Sequence, residues 1–289
     1  MQTHVMKERE EAILQLSTPQ IGCGLVRIGR VWGVKEMTVP KEEDAILFLK
    51  EAYEMGVRVF DTAPSYGSSE ERLGIFLGQL GNRASECFVA TKCGEEFDSK
   101  NGKISVDHSR EALERSIERS MNRLPHITLL QLHKANPVLL QNEAVLNLLS
   151  QYKGSCFPLC GVSVTDPETA EIALSLDLFD CIQFPYSRKH PELNFIFELA
   201  HKSRKSVLVS RPFGSGEHFK TSKNQTSAAR TVTLPPSQRN EAKEALSFVI
   251  ESMRWGGVIL VGTINATHLQ ENLNVFQEIY AEKKTGNGI

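Results

Sequence analysis

The stretch Val57–Gly74, VRVFDTAPSYGSSEERLG, carries the clearest structural signal in the chain. Its first four residues are mostly apolar and β-branched, which predicts a buried strand. The next seven, DTAPSYG, contain a proline and a glycine and predict a turn. One of the two serines that follow can cap a helix, whose first turn is favoured by two glutamates. Asp61 is therefore expected at the C-terminal end of a strand and Tyr66 in the loop after it.

Strand-like apolar runs recur on both sides of this stretch, and a helix-like segment follows each of them. Alternation of this kind over about 250 residues is typical of a closed parallel barrel formed by one domain. The chain lacks an opening G-x-G-x-x-G sequence, which argues against a Rossmann domain. We therefore predict an α/β fold, a single (β/α)8 TIM barrel domain over residues 1–289. Its strands are predicted to begin near residues 21, 57, 87, 128, 157, 179, 206 and 257.

Three polar segments are predicted to lie outside the barrel elements. The residues before position 21 are predicted to form an N-terminal arm, and residues 94–106 are polar, contain glycine and are predicted as a loop. Residues 211–240 have an excess of Gly, Ser, Thr and Lys and form the longest predicted loop. A loop of that length in a compact domain is commonly a functional lid or disordered, and we predict that this one closes over a bound cofactor.

Composition and charge exclude several classes of function. The chain has 33 basic and 35 acidic residues and a formal net charge of −2, so no electrostatic case exists for binding nucleic acid or an anionic membrane. Apolar runs such as VILV at 258–261 are far too short to span a bilayer, and the N-terminus lacks the apolar core of a signal peptide. The six cysteines lack the spacing of a disulfide framework or a zinc site. A cytoplasmic protein without a bound metal is expected.

Four polar residues fall at or just beyond the ends of successive predicted strands. They are Asp61, Tyr66, Lys92 and His133. On a barrel these strand ends face one mouth, where catalytic residues gather. Each residue alone has an ordinary structural explanation, such as a solvated lysine or a half-buried tyrosine. Their contexts, F-D-T-A-P-S-Y-G, A-T-K and L-L-Q-L-H, together closely resemble the catalytic tetrad of the aldo-keto reductase family, and the resemblance extends over nearly the whole chain.

The resemblance implies a nicotinamide-dependent oxidoreductase that reduces aldehydes or ketones, or oxidises the matching alcohol or sugar. Reduction requires a hydride at carbon and a proton at oxygen, and a phenol with a pKa of about 10 is a poor acid near neutrality. An adjacent ammonium lowers the pKa of a phenol, and a carboxylate keeps that ammonium charged. Tyr66 is thus expected to be the general acid, with Lys92 tuning it and Asp61 holding Lys92. His133 is expected to hydrogen-bond and orient the carbonyl oxygen.

The hydride must come from a cofactor, because no side chain supplies one. By the same resemblance, Ser163 in G-V-S-V and Gln183 in I-Q-F would hold the nicotinamide amide. Two residues depart from the family pattern. Val164 stands where the family often has Asn, and Ser210 stands where it usually has the aromatic residue that stacks on the nicotinamide. Stacking must therefore come from elsewhere or be weaker.

Two further segments are similar to the dinucleotide-binding segments of the family. S-R-P-F-G-S-G, residues 210–216, resembles the loop that covers the pyrophosphate, and V-G-T-I-N-A-T-H-L-Q-E-N, residues 261–272, resembles the adenosine-phosphate segment. The binding residues that this implies are Ser210, Arg211, Pro212, Phe213, Gly214 and Gly216 in the loop, and Gly262, Thr263, His268, Glu271 and Asn272 in the second segment.

The preference between NADP(H) and NAD(H) depends on the extra 2′-phosphate, which Arg or Lys binds best. The family commonly has basic residues where this chain has Gly262 and His268. The remaining attraction comes from the N-terminus of a helix predicted to start at Thr267, where Thr267 and Gln270 have capping-box spacing, and from the Thr263 hydroxyl. We expect a modest preference for NADP(H), with NAD(H) also accepted, that grows below about pH 6.5 as His268 protonates.

Substrate contacts are less specific. Trp32 and Phe97 lie in predicted loops after the first and third strands and could line an apolar pocket. The loop after His133 is short, which predicts an open mouth suited to a broad range of substrates or to polar substrates such as sugars. Two alternatives stay open: a cofactor-binding redox sensor that acts as a regulatory subunit without significant turnover, and an unrelated barrel lyase or isomerase with a Schiff base at Lys92. The sequence leaves the oligomeric state open.

Overall fold

The computed structural model describes residues 2–32, 38–214 and 236–286. Its strands are β1 (Pro19–Gly24), β2 (Val59–Asp61), β3 (Phe88–Cys93), β4 (Glu95–Asp98), β5 (Lys103–Val106), β6 (Leu129–Leu132), β7 (Leu159–Ser163), β8 (Cys181–Pro185), β9 (Ser206–Ser210) and β10 (Gly257–Val261). Eight of them close into a parallel barrel in the order β1-β10-β9-β8-β7-β6-β3-β2, and β2 pairs with β1. The predicted (β/α)8 fold class is confirmed, and each barrel strand begins within two residues of its predicted start.

Helices separate the barrel strands throughout the described residues. They are α1 (Gln2–Gln15), α2 (Val26–Gly29), α3 (Glu42–Glu54), α4 (Ser69–Leu80), α5 (Arg110–Arg123), α6 (Glu143–Tyr152), α7 (Pro167–Ser175), α8 (Phe195–Lys202), α9 (Pro236–Ser252) and α10 (Ala266–Gly286). Short 3-10 turns lie at Pro64–Tyr66, Gly81–Glu86 and Leu139–Gln141.

The barrel interior is filled by alternate residues of the strands, because successive side chains of a strand point to opposite faces. Leu129 belongs to this inner cluster, which also contains Ala12 of α1 and Leu16 directly after it. Neighbouring strand residues such as Phe60 and Leu130 belong to a larger cluster shared with the helices. The carbonyl oxygen of Leu16 accepts from the Gly257 N–H at 2.8 Å. The predicted N-terminal arm is therefore a helix that packs on the N-terminal end of the barrel.

Residues 94–106 form a β-hairpin and not the predicted loop. β4 and β5 pair antiparallel, with Glu95 opposite Val106. Asp98 closes the turn, because its side chain accepts from a backbone N–H two residues further on at 2.8 Å. On β5, Ile104 and Val106 are 40% and 53% exposed. The hairpin thus lacks the buried apolar face from which strands are recognised in a sequence.

The two serines at the start of α4 do not cap it. The side chain of Ser68, the N-cap residue, makes no capping hydrogen bond. Ser69 Oγ donates instead to the Leu25 carbonyl oxygen at 3.0 Å and accepts from Thr62 Oγ1 at 2.8 Å. The predicted serine cap is therefore wrong, and Ser69 joins the loop after β1 to the loop after β2.

The last helix begins one residue earlier than predicted. α10 starts at Ala266, and Asn265 Oδ1 accepts from the backbone N–H of His268 at 3.1 Å. This is the geometry of an N-cap asparagine. The helix is therefore capped by Asn265, and not by Thr267 as the sequence predicts.

Within residues 2–32, 38–214 and 236–286, no helix is both long and apolar enough to cross a membrane. In the same residues, no group of three or more His, Cys, Asp or Glu side chains is arranged to hold a metal ion. The six cysteines are free thiols, and only Cys156 among them is exposed.

Candidate active site

Two glycines hold the turn that carries Tyr66 against α2. Gly67 has φ +64°, a left-handed value that favours glycine. A Cβ placed on Gly29 would lie 1.9 Å from the Tyr66 carbonyl oxygen, and one placed on Gly67 would lie 2.3 Å from the Gly29 carbonyl oxygen. No larger residue fits at either position without moving the backbone. The position of Tyr66 is thus set by a close contact between two backbone segments.

Lys92 and Asp61 form a buried ion pair at the C-terminal ends of β3 and β2. Lys92 Nζ lies 2.8 Å from Asp61 Oδ1 and 2.7 Å from Oδ2, and it also donates to the Thr62 carbonyl oxygen at 2.9 Å. Burial lowers the pKa of Lys92, but the charges and hydrogen bonds of Asp61 and Tyr66 outweigh it, so the net pKa is raised. The ammonium therefore stays charged across the neutral range.

Two glutamines complete the surroundings of Asp61. Gln131 Nε2 donates to Oδ1 at 3.0 Å, and Gln183 Nε2 donates to Oδ2 at 3.2 Å. A carboxylate only accepts hydrogen bonds, so each amide must turn its nitrogen toward Asp61. The Oε1 atoms of both glutamines are therefore turned away from it. Two buried acceptors thus lie beside Asp61 without a hydrogen-bond partner among the described residues.

Tyr66 lies over the ammonium of Lys92. Lys92 Nζ is 4.8 Å from the centre of the Tyr66 ring. Burial raises the pKa of Tyr66 above its usual 10.0, and the Lys92 charge and hydrogen bond oppose that increase without cancelling it. The sequence predicts the direction of the Lys92 effect correctly, but the net direction is upward because the burial of the phenol is the larger influence. Tyr66 therefore carries its proton at neutral pH.

His133 follows β6 and meets Tyr66 edge-on. The two ring centroids are 6.3 Å apart at an interplanar angle of 82°. Burial, followed by the nearby charges of Lys92 and Lys134, lowers the pKa of His133 well below 6.5. His133 Nδ1 is 3.1 Å from Glu95 Oε2, although the oxygen lies off the axis of a well-formed hydrogen bond. The four predicted catalytic residues therefore come together, and a carboxylate that was not predicted joins them.

The rim of the mouth is more polar than the predicted apolar pocket. Trp32 is 37% exposed, and its ring lies 4.9 Å from the guanidinium carbon of Arg30 and 5.6 Å from that of Arg211. Arg211 has φ +55° directly after β9. Trp32 thereby joins the loop after β1 to the loop after β9. Phe97 lies half-buried on β4.

The residues predicted to hold the nicotinamide end of the cofactor lie on adjacent strands. Ser163 of β7 pairs in register with Gln183 of β8, and Ser210 ends β9. Arg211 to Gly214 then form a tight turn, closed by a 2.9 Å hydrogen bond from the Gly214 N–H to the Arg211 carbonyl oxygen. The predicted loop residues in this turn are Arg211, Pro212, Phe213 and Gly214. Gly216 and most of the predicted lid lie outside the described residues.

The predicted adenosine-phosphate segment lies between β10 and α10. A Cβ at Gly262 would meet no atom within 4 Å, which leaves open space there. Thr263 Oγ1 accepts from the Asn265 N–H at 3.1 Å. Further along α10, Glu271 is half-buried and Asn272 is buried.

Arg27 of α2, which follows β1, reaches the segment between the neighbouring strand β10 and α10. Its Nη1 donates to the Gly262 carbonyl oxygen at 3.4 Å. The family pattern has basic residues for the 2′-phosphate at positions 262 and 268, and Arg27 is not among the residues predicted from it. The pairing of β1 with β10 brings α2 beside Gly262, and that neighbourhood exists only in the closed barrel.

These residues fit a nicotinamide dinucleotide. The buried Oε1 of Gln183 can accept from the amide of a nicotinamide, and the open space at Gly262 admits a phosphate. The guanidinium of Arg27 and the N-terminus of α10 supply positive charge beside that space.

Residues 20–285 match the sequence profile described as the Aldo/keto reductase family. The chain belongs to the aldo-keto reductase family. A solved aldo-keto reductase from Pseudomonas aeruginosa superposes with a TM-score of 0.71 and 28% identity, and the match covers 90% of each chain. This agreement extends the family resemblance from the tetrad to the whole barrel.

Two curated proteins match shorter segments of this aldo-keto reductase. L-galactose dehydrogenase of Arabidopsis thaliana is 36% identical over 111 residues, which is 38% of this chain and 31% of the plant protein. A Schizosaccharomyces pombe protein named as a voltage-gated potassium channel β-subunit is 32% identical over 103 residues, which is 34% of this chain and 29% of the yeast protein. The matched segments thus span about a third of each relative.

Three residues of this aldo-keto reductase site were missed from the sequence. Gln131 carried a usable signal, because a glutamine inside the apolar strand L-L-Q-L is expensive to bury without a partner. Glu95 lies in the segment predicted as a loop, and Arg27 follows the strand predicted to begin near residue 21. Their roles depend on the hairpin and on the closure of the barrel, which local patterns do not reveal.

Proposed function

We propose that this chain is an NAD(P)H-dependent carbonyl reductase. It reduces aldehydes or ketones, or oxidises the matching alcohols or sugars, with Tyr66 as general acid and base. The observation that carries this proposal is the position of the Tyr66 ring, 4.8 Å from an ammonium that Asp61 holds at 2.7 Å. A phenol over a fixed buried cation is suited to lose a proton and regain it.

Each residue of the tetrad has a distinct role in reduction. Tyr66 delivers its proton to the carbonyl oxygen, and the charge of Lys92 stabilises the phenolate that this leaves. Asp61 balances the buried ammonium and fixes its position. His133, whose ring meets Tyr66 edge-on, contacts the carbonyl oxygen and orients it. A bound nicotinamide supplies the hydride that this chemistry needs.

The substrate proposed is a small carbonyl compound or a sugar. Buried or half-buried polar groups surround the mouth at Arg30, Glu95 and His133, and groups of this kind form hydrogen bonds with hydroxyls. The likeness to L-galactose dehydrogenase over 111 residues points the same way. An apolar carbonyl compound would cover the half-buried guanidinium of Arg30 without offering it a hydrogen bond, which costs binding free energy.

The cofactor proposed is NADP(H), with NAD(H) also accepted. Arg27 donates to the Gly262 carbonyl oxygen, so a guanidinium lies beside the predicted phosphate position. His268 lies in the first turn of α10, and its protonation adds a second positive charge near the predicted phosphate position. We expect the NADP(H) preference to rise as pH falls toward 6, and to rise less in His268→Ala. Kd values for NADPH and NADH from fluorescence titration at two pH values test this.

A second candidate is a cofactor-binding redox sensor that acts as a regulatory subunit. The likeness to the potassium channel β-subunit over 103 residues supports it. The intact tetrad favours turnover over this role. A Schiff base at Lys92 is disfavoured, because a charged, doubly paired ammonium is a poor nucleophile. We also propose that residues 1–289 act as one barrel domain and that the protein is cytoplasmic.

The deciding experiment is steady-state oxidation of NADPH with a panel of sugar aldehydes, aliphatic aldehydes and ketones. Turnover with at least one carbonyl class supports the enzyme. Tight NADPH binding without turnover on any of them supports the sensor.

A further inference from the structure

Glu95 is a buried carboxylate in contact with a catalytic residue. It begins β4, is 6% exposed, and its Oε2 lies 3.1 Å from His133 Nδ1. The next residue, Glu96, faces Arg119 of α5 in an ion pair of 2.5 Å. Burial of a carboxylate is costly unless it gains a partner. The hairpin therefore holds one acidic side chain beside His133 and places its neighbour against Arg119 of α5.

The contact constrains which nitrogen of His133 carries a proton. A neutral imidazole has one N–H donor and one acceptor nitrogen. Glu95 Oε2 lies off the hydrogen-bond axis of Nδ1, but its negative charge at 3.1 Å still favours a proton on that nitrogen, which leaves Nε2 as an acceptor. A second proton on the pair changes this. If that proton goes to His133, both ring nitrogens carry protons. If it goes to Glu95, the carboxylic acid donates to Nδ1 and the proton of the neutral imidazole lies on Nε2. In both cases Nε2 carries a proton.

We propose that Glu95 is a positioning residue that sets the tautomer of His133, so that Nε2 can donate to a substrate carbonyl only when the Glu95–His133 pair holds two protons. This rests on the proposed function, because it assumes that a carbonyl oxygen approaches His133. The pair then acts as a second proton-dependent element beside Tyr66.

The charges around the His133 ring favour this assignment. Besides Glu95, the titratable groups around it are the edge-on ring of Tyr66 and the cationic or ionisable side chains of Arg30, Lys92, His108 and Lys134. The nearest cations and burial disfavour an imidazolium, and they lower the pKa of His133 well below 6.5. Lys134 Nζ lies 3.8 Å from Glu95 Oε1, so it contacts the oxygen that His133 does not. Of the two carboxylates in the site, Asp61 is committed to Lys92, and Glu95 is the one in contact with His133.

The direct test is the tautomer of His133 by ¹⁵N NMR of histidine-labelled protein, with the signal assigned by its loss in His133→Gln. In wild type at neutral pH we expect the proton on Nδ1. In Glu95→Gln the amide donates to Nδ1, so the proton moves to Nε2. Glu96→Gln keeps the wild-type tautomer and is the matched control. Glu95→Ala, which also removes the carboxylate, gives the same Nε2 tautomer and replaces Glu95→Gln if that variant does not fold.

The kinetic test is the pH profile of kcat/KM for carbonyl reduction. Wild type and Glu96→Gln should lose activity on the alkaline side through an ionisation below that of Tyr66. Glu95→Gln should lack that ionisation. A wild-type Nε2 tautomer at neutral pH, or a tautomer and profile unchanged in Glu95→Gln, would overturn the proposal. If no carbonyl is turned over, the proposed function fails, while the NMR result still decides the role of Glu95.

Discussion

Lys92 and Asp61 are joined by two hydrogen bonds of 2.8 and 2.7 Å, in a position where the two residues are 1% and 2% exposed. The same carboxylate accepts from Gln131 and Gln183. Asp61 is thus held by three side chains, and it holds in turn the ammonium under the Tyr66 ring. The catalytic proposal depends on this fixed charge.

Asp61→Asn should destabilise the fold as well as the site. The change leaves a buried ammonium without its counter-charge, and loss of one partner of a buried pair costs about 3–5 kcal/mol. Urea unfolding followed by circular dichroism measures the change. Glu198→Gln breaks an exposed pair with Lys202 on α8 and is the control, with no measurable change expected. A loss in Asp61→Asn as small as in the control would show that the buried pair does not stabilise the barrel.

Lys92→Met should slow carbonyl reduction by about 10²-fold or more, the usual contribution of a tuned general acid. Burial already raises the pKa of Tyr66, and without the Lys92 charge nothing of comparable size opposes it. Tyr66 should therefore ionise at a higher pH in Lys92→Met than in wild type. The ionisation is measured as the difference in absorbance between each protein and its Tyr66→Phe counterpart. If Tyr66 ionised at the same pH in Lys92→Met as in wild type, Lys92 would not be the residue that lowers the pKa of Tyr66.

His133 should make the fold sensitive to acid. Its pKa is lowered in the folded state, so below about pH 6.5 the unfolded chain binds a proton that the folded chain does not. The free energy of unfolding should fall as pH decreases from 6.5, down to the lowered pKa. Urea unfolding at several pH values should show a shallower slope in His133→Gln. A slope equal to that of wild type would mean that other groups dominate acid unfolding.

Arg27→Gln should weaken NADPH binding more than NADH binding. A hydrogen bond between charged groups contributes about 1.5–3 kcal/mol, so the Kd for NADPH should rise about tenfold or more. Arg254→Gln, at the opposite end of β10 and exposed, is the control and should leave both Kd values unchanged. An equal loss for both cofactors would place Arg27 at the pyrophosphate and not at the 2′-phosphate.

The barrel could be predicted because its strands are short apolar runs that end at polar residues, as in FDTA and LLQLH. Buried strands and amphipathic helices leave this signal wherever one face meets the core. The hairpin of residues 95–98 and 103–106 left none, because Ile104 and Val106 are exposed. Glu95 was missed together with the hairpin.

The electrostatics of the site could be predicted only in part. The sequence indicates that Lys92 favours the Tyr66 phenolate, and the direction of that contribution is confirmed. It does not indicate how deeply Tyr66 is buried, and burial reverses the net change in the pKa of the phenol. Arg27 shows the same dependence, since only the pairing of β1 with β10 brings it to Gly262.

The central claim is that Tyr66 is the proton donor of a carbonyl reductase. Its most direct test is single-turnover reduction of the best substrate from the carbonyl panel by wild type and Tyr66→Phe, with the Kd for NADPH measured on both. The account predicts a loss of at least about 10²-fold in the reduction rate and an unchanged Kd, because the ring stays and only the acid is removed. A Tyr66→Phe rate close to that of wild type would contradict it.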